Sequence, residues 1–167
     1  MSMIGNLLQV TEKELKDILN NPTLLEEKVY ADDESGIEGL LYLDKAWEGI
    51  FYAITGFTLA QIEEAAPPLA WVVFGDKTVS EDQDMGYGPA QYITPDQVKK
   101  LNKELDKITA DHLSQHYDGQ QMTDHGVYPE IWEGEDGKEY LLEYFVAMKE
   151  FYKKAGDENL GVISFIS

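Results

Sequence analysis

The stretch LDKAWEGIFYAITG, residues 43–56, carries the clearest pattern in this chain of 167 residues. Apolar residues recur there at i, i+3, i+4 and i+7, which is the spacing of one face of a helix. These residues are Trp47, Ile50, Phe51 and Ile54. Asp44 is a suitable N-cap, and Gly56 is a typical helix stop. We therefore expect a helix whose apolar face lies in the core.

A second long pattern lies in residues 138–154, where large apolar side chains again recur on one stripe. These side chains are Leu141, Tyr144, Phe145, Met148 and Phe151 or Tyr152. Shorter helices are predicted after Thr11 and Thr94, because each threonine is followed three residues later by Glu or Gln, as in a capping box. An acidic loop is expected at residues 32–39, and another at residues 75–88.

Apolar stretches at residues 4–10 and 162–166 predict strands near the two ends of the chain, and residues 90–93 predict a short third strand. A parallel sheet needs a strand after every helix, which this order does not provide. We therefore predict the α+β class: one mostly helical domain over residues 1–167, with a small sheet that includes the N- and C-terminal strands. The two long helices are expected to pack against that sheet.

The charge of the chain narrows its range of partners. Asp and Glu number 32 and lysine numbers 13, with no arginine, so the net charge is −19. Arginine is the side chain that binds phosphates and carboxylates with a planar fork, and a strongly negative surface repels polyanions and anionic lipid. We expect neither nucleic acid nor a membrane as a partner, whereas a basic protein partner fits the charge.

Composition also bounds the class of protein. The absence of cysteine excludes disulfides, thiol catalysis and thiolate metal sites. The 43% apolar and 11% aromatic content indicates a folded chain despite its charge. The sequence has no apolar run long enough to span a membrane, and residues 1–10 lack the basic and apolar regions of a secretory signal. We expect a soluble cytoplasmic protein.

The three histidines are the candidates for a metal site. His112 and His116 lie four residues apart on a predicted helix, so that both rings could face one ion. Carboxylates and a third imidazole follow nearby in Asp111, Asp124 and His125. The metalloprotease pattern requires glutamate directly after the first histidine, and Leu113 stands there instead. Surface histidines are the favoured interpretation, and we predict no metal.

Other motifs give no chemistry. The acidic loops do not satisfy the EF-hand calcium pattern, and the sequence has no Walker loop, no complete dinucleotide loop and no G-x-S-x-G elbow. We therefore expect no cofactor and assign no catalytic residue. Asp44 and Glu48 lie one helical turn apart, but capping explains the first and an outward-facing position the second. Lys99, Lys103 and Lys107 form a stripe that we interpret as a solvated helix face.

Four aromatic residues lie in or beside predicted loops, where such side chains often line pockets or partner surfaces. They are Tyr87, Tyr92, Tyr128 and Trp132. We name them as binding candidates. The alternative is that at least two of them pack in the core.

Several segments together resemble the YfbM-like family of bacterial proteins, a domain of unknown function. They are collinear over nearly the whole chain, and the block from LDKAW to TG is the most specific. The matching pieces are Met3-Ile4-Gly5, Leu43 to Trp47 with Thr55-Gly56, Tyr87-Gly88 to Thr94-Pro95, Tyr128-Pro129 with Trp132, and Leu142 to Phe151. The resemblance implies a single α+β domain from a bacterial cytoplasm, with no established activity, cofactor or site residues.

Three functions remain open. The leading hypothesis is a non-enzymatic binding or regulatory protein that contacts a protein partner through its acidic surface or through an aromatic groove near Tyr87, Tyr128 and Trp132. The alternative is a hydrolase that uses carboxylates with His125 or with the pair His112 and His116. In one version of this hypothesis, these side chains surround a divalent ion. The third is imitation of DNA by the carboxylates.

Overall fold

The computed structural model describes residues 2–31 and 36–167, and these residues contain a five-stranded antiparallel sheet. Its strands are β1 (Gly5–Val10), β2 (Leu40–Asp44), β3 (Lys77–Thr78), β4 (Gln91–Ile93) and β5 (Gly161–Ile166). Their order across the sheet is β2-β1-β5-β4-β3, so β5 lies in the centre. The predicted pairing of the two terminal strands is confirmed, because β1 and β5 are antiparallel neighbours.

Most of the remaining chain is helical, so the predicted α+β class is confirmed. The α-helices are α1 (Glu12–Asn20), α2 (Thr23–Val29), α3 (Trp47–Thr55), α4 (Trp71–Phe74), α5 (Pro95–Leu105), α6 (Ala110–His116), α7 (Gly119–Asp124) and α8 (Glu135–Asp157). A 3-10 helix covers Leu59–Glu64. The predicted capping boxes at Thr11 and Thr94 are present, with each hydroxyl accepting from the backbone N–H three residues on.

The two faces of the sheet pack on different helices, because successive strand residues point to opposite sides. On β5, Val162 belongs to the larger core cluster, which includes side chains of α3, α5 and α8. Its neighbour Ile163 belongs to the smaller cluster, which includes side chains of α1 and α2. The predicted packing of the two long helices against the sheet is thus confirmed on the larger side.

The start of the helix predicted at residue 43 is wrong. Residues 40–44 form β2, which pairs with β1 and is thereby held extended, and α3 begins only at Trp47. Ala46 occupies the N-cap position, and no side chain caps the helix. Asp44 is therefore not a cap; its φ is 48°, and its Oδ2 accepts a hydrogen bond of 2.7 Å from the hydroxyl of Tyr140. The predicted stop at Gly56 is confirmed by a left-handed φ of 82°.

The two predicted acidic loops have different outcomes. Residues 32–35 of the first loop lie outside the described residues. The second, residues 75–88, is not simply exposed, because it contains β3 and buries Val79 and Met85 in the smaller core cluster. Apolar side chains in this acidic segment therefore anchor it to the sheet.

Candidate functional site

A cavity of about 590 Å³ opens between the sheet and the segment from residue 59 to residue 76. Trp47 of α3 and Ser164 of β5 line it, together with residues of three other segments. Trp71 and Phe74 of α4 contribute from one side, and Tyr87 contributes from the loop before β4. This volume lies within the range of about 300–1,000 Å³ that is typical of small-ligand sites.

The aromatic residues at the cavity are held by packing with other aromatic rings. The ring of Phe74 meets Trp47 edge to face at 5.9 Å and Phe51 at 4.9 Å between centroids. The indole Nε1 of Trp47 donates a hydrogen bond of 3.0 Å to the carbonyl oxygen of Met3. Tyr128 lies against the same indole at 5.5 Å, and its hydroxyl accepts from the N–H of Met3. Trp47 is therefore held in place by these contacts.

Helix α4 is anchored to the long helix α8 through its backbone. The hydroxyl of Tyr152, on α8, donates a hydrogen bond of 2.6 Å to the carbonyl oxygen of Val72. Tyr152 is completely buried, and burial raises the pKa of its hydroxyl. The group therefore stays protonated and remains a donor at neutral pH, which keeps α4 at a fixed distance from α8.

Glu48 ties the segment that begins at Leu59 to the rest of the molecule. Its side chain is buried, so the prediction of an outward-facing position is wrong. One carboxylate oxygen accepts a hydrogen bond of 2.7 Å from the N–H of Leu59, and the other accepts one of 2.8 Å from the N–H of Tyr128. Charge-assisted bonds to two backbone donors offset the cost of burying this carboxylate. Glu48 is thus a positioning residue and does not itself line the cavity.

Ser164 lines the cavity, and its hydroxyl oxygen is buried in the cavity wall. Its side chain is only 4% exposed, and its Oγ has no hydrogen-bond partner within the described residues. The residue opposite it on β4 is Gln91, whose Oε1 is already engaged as an acceptor from the hydroxyl of Thr78 at 3.0 Å. A buried polar group without a partner costs about 1–3 kcal/mol. A polar group of a bound molecule that reached this hydroxyl would recover that free energy.

The charged residues at the cavity are all acidic. Glu63 and Asp76 line it and are both exposed, and no lysine or histidine lines it among the described residues. One oxygen of Asp76 accepts a hydrogen bond of 2.9 Å from the amide of Gln97. Carboxylates next to aromatic rings favour a positively charged group, since the faces of such rings also attract cations.

Of the four predicted aromatic binding residues, Tyr87 is the one that lines this cavity. Its side chain is 47% exposed, and its N–H donates to the carbonyl oxygen of Ile166 at the end of β5. The loop around it is closed by Asp84, whose carboxylate accepts from the N–H groups of Gly86 and Gly88. The tyrosine is thereby held over the end of the central strand.

The other three lie elsewhere. Tyr128 packs behind Trp47 and does not line the cavity, and Tyr92 packs against the smaller core cluster. Trp132 is completely buried, and its Nε1 donates to the carbonyl oxygen of Val127. The alternative of core packing therefore describes Tyr92, Tyr128 and Trp132. Whether any of the four binds a ligand stays a prediction.

Three glycines form a socket for Trp132. They lie on three different helices, at positions 49, 119 and 137. A Cβ atom at any of them would come within 3.0 Å of atoms of this tryptophan, which real structures do not tolerate. The hydroxyl of Tyr117 closes the site by donating to the carbonyl oxygen of Trp132. Burial, and to a lesser degree Glu135, raises the pKa of Tyr117 to about 12, so this donor is also protonated at neutral pH.

The histidines lie apart from the cavity. The rings of His112 and His116 are 4.3 Å apart, and Nδ1 of His116 lies 2.9 Å from the carbonyl oxygen of His112. His125 meets the hydroxyl of Tyr52 at 2.9 Å instead of joining that pair. Residues 2–31 and 36–167 contain no group of three or more His, Asp or Glu side chains placed to hold a metal ion. The hydrolase alternative stays a prediction, which the metal content of the purified protein would test.

Sequence reasoning missed Trp71, Phe74 and Ser164 as site residues. The sequence did hold one indication of Trp71 and Phe74. The Pro67-Pro68 pair interrupts the chain, and the short helix α4 after it carries two large aromatic residues with few apolar neighbours in the sequence. Ser164 gave no such signal, because a lone serine in a strand is common on a solvated face. Its burial next to a cavity depends on the segment from residue 59 to residue 76, which is distant in sequence.

The comparisons with known proteins agree with this architecture. No helix within the described ranges is long and apolar enough to cross a membrane. The fold is a helix-rich α+β arrangement around an antiparallel sheet. Residues 1–165 match the family described as a domain of unknown function, DUF1877, and the chain belongs to that family.

A solved structure shares the fold. The crystal structure of YfbM from Escherichia coli, a protein of unknown function, is similar with a TM-score of 0.71 and 16% sequence identity. The similarity covers 98% of this chain and 99% of that one. The predicted resemblance to the YfbM-like family is thus confirmed. At this identity the likeness shows the fold alone, and no curated protein matches the sequence.

Proposed function

We propose that this protein is a non-enzymatic binding protein that takes a basic side chain of a partner protein into the cavity beside Trp47, Trp71 and Ser164. The observation that carries the proposal is the composition of this cavity. It combines aromatic rings, two exposed carboxylates and a buried hydroxyl without a partner among the described residues.

The size and the apolar character of the cavity limit what can occupy it. A space of about 590 Å³ accommodates one long side chain together with an apolar neighbour. Trp71 and Phe74 present apolar surface that would cover the methylene groups of a lysine or arginine, whose charged end would remain near the carboxylates. A basic residue next to an aromatic residue in the partner fits these features best.

The charge of the whole molecule supports the same partner. A net charge of −19 attracts basic proteins over distances of about 10 Å and accelerates their association. Locally, Glu63 and Asp76 would contact the bound cation, and the rings of Trp71 and Tyr87 would add cation–π attraction. The acidic surface therefore steers the partner, and the cavity selects one side chain.

The surroundings of Ser164 do not support a role for it as a nucleophile. A serine nucleophile needs an adjacent base that accepts its proton. The hydroxyl of Ser164 has no hydrogen-bond partner in the described part of the chain, and the histidines lie in other parts of the fold. The hydroxyl is thus not activated as a nucleophile.

The proposal is tested with capped dipeptides. An N-acetylated, C-amidated Lys–Phe peptide is titrated into the protein, with norleucine–Phe and Glu–Phe as neutral and anionic counterparts. We expect the lysine peptide to bind about tenfold more tightly than the norleucine peptide and to shift the indole N–H resonances of Trp47 and Trp71 in NMR spectra. Equal affinities for the three peptides, or shifts confined to other residues, would overturn the proposal.

Variants locate the selectivity. In the double variant Glu63→Gln with Asp76→Asn, the preference for lysine over norleucine should fall by most of its value. The matched control is Glu139→Gln with Glu150→Gln, which removes two exposed carboxylates from α8, away from the cavity. If the control loses as much preference as the cavity variant, net charge and not the cavity sets the selectivity.

A further inference from the structure

A second cavity adjoins the first. It has a volume of about 380 Å³, and Pro67 and Trp71 line both cavities. Its remaining lining includes two lysines of α5, Lys100 and Lys103, in place of the carboxylates of the first cavity. Trp71 therefore lies between a site with acidic residues and a site with basic residues.

The two lysines belong to the seven of thirteen that form no salt bridge within the described residues. Six lysines pair with a carboxylate within 4.0 Å; they are Lys13, Lys16, Lys28, Lys107, Lys153 and Lys154. Lys100 and Lys103 have no such partner among the described residues, and both are exposed. Glu104 lies beside them in the cavity lining, but its carboxylate pairs with Lys107 at 3.1 Å. Two ammonium groups thus remain free to meet an anion.

We propose that the two cavities form one bipartite site for a short segment of the partner protein. The basic side chain of that segment enters the first cavity, its backbone crosses Trp71, and an acidic side chain of the same segment reaches Lys100 and Lys103. This inference rests on the proposed function and adds the requirement for a carboxylate. It also revises the interpretation of Lys103 as part of a solvated helix face with Lys99 and Lys107.

The charges of the segment follow from the two linings. A purely basic segment would be repelled by Lys100 and Lys103, whereas a purely acidic one would be repelled by Glu63 and Asp76. A segment with one charge of each sign satisfies both cavities. The aromatic surface of Trp71 and the ring of Pro67 supply the apolar contact between them.

The test uses capped peptides that are longer than the Lys–Phe dipeptide. Peptides of the form Lys–Phe–spacer–Glu, with glycine spacers of increasing length, are compared with counterparts that carry Gln in place of Glu. Acetyl and amide groups cap the ends, so that only the side chains are charged. At the best spacer length, we expect the Glu peptide to bind about fivefold more tightly than its Gln counterpart.

Lys100 and Lys103 are then replaced together. The double variant Lys100→Gln with Lys103→Gln should abolish the advantage of Glu over Gln while the Lys–Phe dipeptide still binds. The matched control is Lys13→Gln with Lys16→Gln, which makes the same change of charge at the same spacing on α1, and it should keep the advantage. Melting curves confirm that each variant is folded.

The outcomes separate the two proposals. If the Glu and Gln peptides bind equally at every spacer length, or if the advantage survives the loss of Lys100 and Lys103, the bipartite site is overturned and the first cavity stands. If the control pair loses the advantage as well, the effect comes from net charge and the inference is also overturned. If no lysine peptide binds at all, both proposals fail.

Discussion

Two tryptophans, each three residues after a proline in the sequence, have opposite environments. Trp132 is completely buried in a socket of three glycines, and both its indole N–H and its backbone carbonyl are hydrogen-bonded. Trp71 is half-buried and lines two cavities, with no hydrogen bond from its indole among the described residues. The fold encloses the first ring, whereas it leaves part of the second ring facing the two cavities.

The two tryptophans differ in the residues that the fold packs around them. Around Trp132, Gly49 lets a helix approach the indole ring closely, and Gly119 and Gly137 let two other helices approach its backbone. Around Trp71, the helices are short, and the 3-10 helix Leu59–Glu64 has no buried residue. Local stability follows the amount of buried apolar contact, so we expect the segment from residue 59 to residue 76 to be the less stable of the two.

Glu48 connects the two regions. One of its oxygens accepts from Leu59, which begins the 3-10 helix at the cavity, and the other accepts from Tyr128, four residues before Trp132. A single buried carboxylate thus sets the position of the cavity segment relative to the glycine socket. Substitutions in the two regions and at Glu48 should therefore change stability by different amounts.

The largest effect should come from Trp132. Replacing it with alanine leaves a large cavity between the helices, and we expect Trp132→Ala to lower the free energy of unfolding by about 3–5 kcal/mol. Trp71→Ala should lower it by about 1–2 kcal/mol, because much of that side chain already faces the cavities. Urea unfolding followed by circular dichroism measures both. Equal losses would show that the two tryptophans contribute alike to stability.

The second effect should come from Glu48. In Glu48→Ala, the N–H groups of Leu59 and Tyr128 lose their acceptor, and we expect a loss of about 2–3 kcal/mol. Glu48→Gln should lose about half as much, since its amide oxygen can accept from one of the two donors. Amide hydrogen exchange at Leu59 and Tyr128 should quicken in both variants. The exposed control Glu139→Gln should stay within about 0.5 kcal/mol, and no change in exchange would contradict the bridging role.

The smallest effect on stability should come from Ser164. Because its hydroxyl is buried without a partner in the described residues, Ser164→Ala should leave the free energy of unfolding unchanged or raise it by up to about 1 kcal/mol. The same variant should bind the capped Lys–Phe peptide several times more weakly. A clear loss of stability would mean that the hydroxyl is satisfied in the folded protein and is not held available for a ligand.

Much of the fold could be predicted from local sequence. Thr11 and Thr94 cap helices where the pattern placed them, Gly56 ends α3, and the apolar stretches at the two ends form paired strands. These features depend on neighbours within a few residues, which a sequence displays directly. The long helix near the C-terminus was equally evident, because its apolar spacing persists over several turns.

What the sequence could not show depends on distant partners. The residues of β2 are a run of apolar side chains that merge into the pattern of α3, and only pairing with β1 holds them extended. Glu48 looked like one more surface carboxylate, because the two N–H groups that it binds come from other segments. Trp132 looked like a loop aromatic for the same reason, since the glycines of its socket are far apart in sequence.

The central place of β5 affects how the chain reaches its native state. Both neighbours of this strand are formed by earlier residues, so neither β1 nor β4 can complete its ladder until residues 161–166 have arrived. Contacts that join such remote parts of a chain slow folding, because a long loop must close before they form. Ser164 reaches its position beside the cavity in that same late step. The cavity wall and the closed sheet therefore form together, and a nascent chain that lacks this strand has neither.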